Sequence, residues 1–324
     1  MNSPLLGKKI KRRDYRYLDG ITDKKELFLT IRNLLKTDLF FLCRYALRYR
    51  DLETRTSIHF GMCECLENPK WLRLAIMAFR GSFKTSIAEA YLIQELLRNP
   101  AAQIGIGSDI QDRAQDRFLD IKGVLEQNTT LQYFFPEVLY RDPRSESKRW
   151  NEHELNVKLP KDAVGGFRKP SLSFFGLFPL PVGSHFTLAW MDDVEYEENT
   201  QTDEGIRKLK ARFSGFMPTL QTNARVFLTG TYYHPLGPNA EYSKRWPCYR
   251  IPILDVNGNP TFPSEKPLAE CNRIRDEDTD EWGWQTQYML NVMLRTDLHA
   301  FPFRGKVLQV CEEVVHRNTR GRTI

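Results

Sequence analysis

Residues 71–100 constrain the fold more than any other stretch of this chain. An apolar run, WLRLAIMAF (71–79), turns through Arg80 and Gly81 into SFKTSIAEAYLIQELLRNP (82–100), whose apolar residues recur at helical spacing until Asn99-Pro100 stops them. A buried strand feeding directly into an amphipathic helix is the first half of a parallel β-α-β unit. The pattern then repeats: QIGIGSD (103–109) reads as a second strand and IQDRAQDRFLDIKGVLEQN (110–128) as a second helix. Two more apolar runs, HFTLAWMDD (185–193) and ARVFLTGT (224–231), read as further strands. Strands alternating with helices predict an α/β domain with an open, mostly parallel sheet flanked by helices. Ahead of it, residues 23–48 read as one or two helices. Leu27, Ile31, Leu34, Leu35 and Leu42 fall largely on one face, and Asp23 is placed as N-cap or first-turn acid. The stretch 143–183, rich in Pro, Gly and Phe and without periodicity, is expected to be an insertion or long loop. Residues 255–282 read as a polar, acidic linker, and WGWQTQYMLNVML from Trp282 as a final packing helix.

Composition narrows the class. With 41% hydrophobic and 27% charged residues, the 324-residue chain is neither disordered nor collagenous. Apolar runs such as Leu39–Cys43 fall far short of the roughly 18 residues that cross a bilayer. The N-terminus, MNSPLLGKKIKRRDYRY, has no apolar region after its basic cluster, so a soluble intracellular protein without a membrane partner is expected. Cys43, Cys63, Cys65, Cys248, Cys271 and Cys311 are scattered, which fits buried free thiols and shows no metal cage. Charge is lopsided: between Met1 and Leu18, six basic residues face Asp14, a local +5 out of the chain's +6. A basic arm over 1–22 is therefore expected, and a solvated leader and a phosphate-contacting arm remain equal readings of it.

The turn 78–86 lies where a phosphate-binding loop belongs, with backbone amides and a helix N-terminus facing an anion. Lys84 is placed to reach β- and γ-phosphates, and the Thr85 hydroxyl to hold Mg²⁺. Against the pattern G-x-x-x-x-G-K-[ST], Ala78 stands at the first glycine and Phe83 at the second. Lys-Thr alone is also an ordinary exposed helix start. A second element is Asp192 at the end of an apolar strand with Asp193 beside it, the order in which a P-loop enzyme holds its metal-binding and water-activating acids. A turn or helix cap is the bland reading of that pair. The third element is Thr229-Gly230-Thr231, closing another strand at the edge where ligands of open α/β sheets collect.

Together these segments resemble the large terminase subunit of tailed bacteriophages, the ATPase that drives DNA into a procapsid. Arg80-Gly81 with Lys84-Thr85 is similar to the family's R-G-x-G-K-[ST] loop, and His185-Phe186 leading to Asp192-Asp193 to its G-x-H-F…D-D strand. Thr229-Gly230-Thr231-Tyr232-Tyr233-His234-Pro235 is similar to its G-T-x-Y-H-P coupling segment, and Trp284–Asn291 to its F-x-x-Q-Y-L-N stretch. The resemblance covers residues 59–303. It implies a P-loop NTPase-like ATPase domain there, a helical lead-in over 23–58, and a tail over 304–324 in place of the family's nuclease domain, so nuclease activity is not expected.

The resemblance implies ATP and Mg²⁺ as cofactors. Arg80, Gly81, Ser82, Phe83, Lys84, Thr85 and Ser86 would bind the nucleotide, with Thr229 and Thr231 sensing the γ-phosphate; Thr85 and Asp192 would hold the metal. Asp193 would activate water, with Glu195 as substitute, and Arg80 would stabilise the transferred phosphoryl group or position the loop. Double-stranded DNA, the portal protein and the small terminase subunit would be partners of a homo-oligomeric ring in the host cytoplasm. The run Arg207, Lys208, Lys210 and Arg212 reads either as DNA contact or as a solvated helix face. Phe83 is the main departure, since a bulky side chain opposes the positive φ a tight loop asks for. That keeps open a terminase-like assembly component without ATP turnover; an unrelated P-loop kinase or transferase is a third reading.

Overall fold

In the computed structural model, residues 14–159, 169–178 and 185–295 are described. The basic cluster Lys8–Arg13 and the tail 304–324 lie outside them. Seven strands make one sheet: β1 (Arg73–Ala78), β2 (Ile104–Ser108), β3 (Glu154–Leu155), β4 (Leu172–Gly176), β5 (Phe186–Asp192), β6 (Leu220–Gly230) and β7 (Cys248–Ile251), in the order β3-β4-β2-β5-β6-β1-β7. Every pairing is parallel except the short β3 against β4. This is the helix-flanked, mostly parallel α/β sheet that the alternation of segments predicts.

Side chains of the central strands divide by parity, because successive residues of a strand face opposite ways. Leu74, Ile76 and Ala78 of β1, Leu188 and Trp190 of β5, and Phe227 of β6 enter one core layer. That layer also takes Leu35 and Leu39, Met62, and Ile87, Leu92 and Leu96 from the helices Lys24–Thr37, Leu39–Phe41, Ile58–Glu67 and Lys84–Arg98. The alternate residues Ala75, Met77, Ala189, Met191, Val226 and Leu228 enter the other, with Leu209, Phe213 and Phe216 of the helix Asp203–Phe216. Both faces are thus dry, with about 2 kcal/mol expected from each fully buried large apolar side chain. The helical lead-in breaks at Asp38, whose carboxylate accepts the Phe41 amide, and Asp23 caps Lys24–Thr37 by accepting from Glu26 N.

Two expectations are corrected. The stretch 143–183 is more than a loop: Leu172–Gly176 runs in register with the whole of β2, from Ile104 beside Leu172 to Ser108 beside Gly176. Its five residues have no alternation of their own, and what stabilises them is a ladder to a strand more than sixty residues earlier. Residues 255–282 are not a detached linker. Phe262, Cys271 and Ile274 are buried in the main core, while Arg273 pairs outside with Glu270 and Asp278. Three well-spaced apolar residues suffice to anchor a segment that is acidic overall. The final packing helix shortens to the turns Glu281–Gly283 and Trp284–Tyr288. Among the described residues no helix is long and apolar enough to cross a membrane.

Candidate functional site

The ends of β1, β6 and β5 come level at one edge of the sheet: Met77 lies beside Gly230, and Asp192 beside Thr229. Beyond β1 the chain turns through Phe79–Phe83 before the helix Lys84–Arg98 begins. Arg80 N donates to Gln287 O at 3.3 Å and Ser82 N to Phe79 O at 3.2 Å. Gly81 takes φ +83° and Phe83 φ +59°, ψ +17°, so the two residues in left-handed geometry make the turn. Phe83 therefore adopts the conformation its side chain was expected to oppose, at a cost of roughly 1–2 kcal/mol for an L-residue. Its ring packs edge-on against His59 and Phe262. No side chain caps the first turn of the helix it opens. The Ser82 hydroxyl is buried without a hydrogen-bond partner.

Lys84 Nζ lies 3.1 Å from Asp193 Oδ2, and Thr85 Oγ1 lies 3.5 Å from Asp192 Oδ2. Two segments more than a hundred residues apart thus meet side chain to side chain, although β6 separates their strands. Asp192 is only 3% exposed and fully engaged: Oδ1 accepts from Thr229 Oγ1 at 2.6 Å, and Oδ2 from Arg117 Nε at 3.1 Å. Burial, with Asp193 beside it, pushes the Asp192 carboxyl up to about 6, against the pull of Lys84, Thr229 and Arg117. For Lys84, burial works against the charge, but Asp193 and Asp192 outweigh it and hold the ammonium above its ordinary value. Asp193 itself sits at φ +41°, its amide continuing the ladder to Thr229 O.

The remaining expected residues divide. Arg80 extends from the loop to the Tyr233 hydroxyl, and Ser86 lies half-buried in the first turn of the helix. Thr229 is fully buried, holding Asp192 while accepting Trp190 Nε1–H at 2.7 Å. Thr231 is buried too, its carbonyl receiving Asn239 Nδ2 at 2.6 Å. Glu195 is 1% exposed, and its two oxygens accept the Asn239 and Tyr233 amides at 2.5 and 3.2 Å. Burial pushes its carboxyl up to about 8 despite those amides. A Cβ at Gly237 would lie 2.3 Å from Glu195 Oε1, so glycine there lets the 231–239 loop close over the carboxyl. Glu195 braces that loop rather than standing open beside Asp193. On the helix Asp203–Phe216, Lys208 pairs with Glu204 and Lys210 with Glu241, while Arg207 and Arg212 are exposed.

Sequence reasoning missed Arg117, His59, Trp190 and Tyr233. Arg117 lies in a helical pattern and His59 in a stretch read as a loop, and neither carries a local mark of a site; only the packing of the helices Gln111–Gln127 and Ile58–Glu67 brings them to it.

No family model matches the chain. Over 293 residues it is 24% identical to the terminase large subunit of Enterobacteria phage T3, a match covering 81% of this chain and 48% of that protein. The chain thus spans about half the length of the curated relative it matches. Among solved structures, the large terminase ATPase domain of Thermus phage P74-26 superposes with a TM-score of 0.44 at 13% identity, over 76% of this chain and 98% of that one. S. cerevisiae dbp5 bound to nup159, gle1, IP6 and ADP gives 0.38 at 12%, over 68% and 53%. The resemblance drawn from the motifs is borne out: along most of its length this chain is similar to a phage large terminase.

Proposed function

We propose that this chain is the ATPase of a phage DNA-packaging motor, hydrolysing ATP with Mg²⁺ to move double-stranded DNA into a procapsid. The observation that carries the reading is the meeting of Lys84 and Thr85 with Asp193 and Asp192 across the ends of β1, β6 and β5. The residues fit a nucleotide: an uncapped helix N-terminus, two left-handed residues that shape the turn, and a buried Ser82 hydroxyl without a partner together favour a phosphate. Lys84, with the amides of Gly81 and Phe83–Ser86, would take the phosphates. Thr85 and Asp192 would hold Mg²⁺, which supplies charge neutralisation on the phosphoryl group.

Lys84 and Asp193 neutralise each other in this structure. Phosphate drawing away the ammonium would leave the Asp193 carboxylate to accept a proton from the attacking water. Arg80 lies on the same loop and would serve the phosphoryl charge or, through Tyr233, the loop's position. Thr229 acts through Asp192. Thr231, on the segment that Glu195 braces, would link the state of the site to the 231–239 loop. Portal protein, small terminase subunit, a homo-oligomeric ring and a host-cytoplasmic setting belong to the same proposal, as does an ATPase domain over 59–303.

The alternative, an assembly component without turnover, drew on Phe83, and that ground weakens once Phe83 occupies the left-handed conformation. Steady-state ATP hydrolysis with Mg²⁺, with and without linear duplex DNA, tests the proposal against Lys84→Ala and Asp193→Asn. Turnover that DNA stimulates and both substitutions abolish is expected. No turnover and no nucleotide binding by the unmodified chain would overturn it in favour of the assembly component.

A further inference from the structure

His59 has no part in the chemistry above, yet it is fully buried with both ring nitrogens engaged. Nδ1 lies 2.6 Å from Glu53 N, an amide that only donates, so Nδ1 is the acceptor and the proton sits on Nε2. Nε2 then donates to Ser82 O at 3.1 Å, inside the turn before Lys84. The ring meets Phe262 edge-on at 4.8 Å and Phe83 at 5.8 Å, and Phe83 meets Phe262 at 5.9 Å, all between centroids. Glu53 closes the arrangement, accepting Ser264 N at 3.0 Å and Ser264 Oγ at 2.8 Å. Three segments distant in sequence (53–59, 79–83 and 262–264) are thereby tied at the back of the turn. A residue that merely filled space would not need a defined tautomer.

We propose that His59 is a positioning residue of the phosphate loop. With Phe262 it forms an aromatic cradle that holds Phe83 left-handed where glycine would need no support, and its Nε2–H fixes the Ser82 carbonyl. The inference rests on the nucleotide-binding reading of the loop, but its first test does not.

Two substitutions separate the parts: His59→Phe keeps a ring without the hydrogen bonds, and His59→Gln keeps a donor and an acceptor without the ring. In nucleotide-free protein, amide hydrogen exchange of residues 79–86 is expected to quicken about tenfold in His59→Phe, with β2 as an unchanged control. Exchange like the parent's in both variants would overturn the proposal. So would equal quickening of β2 in both, which would mark His59 as general core. The second test is a double-mutant cycle read by binding of a fluorescent ADP analogue with Mg²⁺. His59→Gln is expected to weaken binding about fivefold in the parent and less than about twofold beside Phe83→Gly, because glycine adopts positive φ unaided. Equal losses in both backgrounds would overturn the cradle. If the parent binds no nucleotide, the ATPase reading fails and the exchange result alone decides the role of His59.

Discussion

Thr229 Oγ1 donates to Asp192 Oδ1 over 2.6 Å while accepting Trp190 Nε1–H at 2.7 Å, so a hydroxyl on β6 sets the orientation of a carboxylate on β5. Thr229→Val keeps the shape and leaves both partners buried and unsatisfied. A loss of about 1–3 kcal/mol in urea unfolding is expected, with Thr229→Ser close to the parent. On the proposed function, the Mg²⁺ concentration for half-maximal hydrolysis also rises in Thr229→Val, because Asp192 is no longer aimed.

Phe83 separates backbone strain from packing. Phe83→Ala removes the ring from His59 and Phe262 but keeps a Cβ at φ +59°. Phe83→Gly removes the same contacts and the strain together. Thermal unfolding should therefore find the glycine variant about 1 kcal/mol more stable than the alanine variant. Equal stabilities would mean that the left-handed geometry carries no strain.

Arg117 Nε lies 3.1 Å from Asp192 Oδ2, the oxygen that Thr85 Oγ1 also faces. Its guanidinium is about a third exposed, whereas Asp192 is almost wholly buried. Arg117→Gln takes a cation from a carboxylate that has little access to water. A stability loss of about 1–2 kcal/mol by urea unfolding is expected, less than for a fully buried pair because solvent screens the arginine. An unchanged midpoint would show that the remaining partners, Thr229, Thr85 and the nearby Lys84, hold the carboxylate without Arg117.

Acid should act through His59. Burial holds its imidazole down to about 4, from an ordinary 6.5, against the opposing pull of the Ser82 carbonyl and Glu53. The unfolded chain then binds more protons than the folded one across that window. The contribution is fully present above pH 6.5 and is lost progressively as pH falls to about 4, at most about 3 kcal/mol. Urea midpoints at pH 7.5 and 5 should differ less in His59→Phe than in the parent, since phenylalanine has nothing to titrate.

The alternating elements, the turn before Lys84 and the acids after β5 were legible because each rests on neighbours in the chain. Apolar period, a helix stop at Asn99-Pro100 and two acids closing an apolar run are local signals. Where those signals fail, the structure depends on distant partners. Leu172–Gly176 becomes a strand only by lying against β2, and the acidic stretch around Cys271 and Ile274 is anchored by a core assembled elsewhere. Glu195 looked interchangeable with Asp193 from two positions away. The backbone carries one toward Lys84 and buries the other under the amides of Tyr233 and Asn239.

The α/β architecture, the order of the motifs and the residue types at the loop and the acids could be read from the chain alone. Those properties follow from hydrophobic periodicity and from the chemistry of single side chains. That Phe83 can stand in a glycine's place was settled by long-range packing. The same packing decided that Thr229 serves Asp192 rather than facing outward, and that His59 and Arg117 reach the site at all. The reason is physical: left-handed geometry at Phe83 depends on rings from residues 59 and 262, and the Asp192 carboxylate on partners from three other elements. Contacts between segments so far apart leave no periodicity in the chain; they exist only once the sheet has brought its ends level.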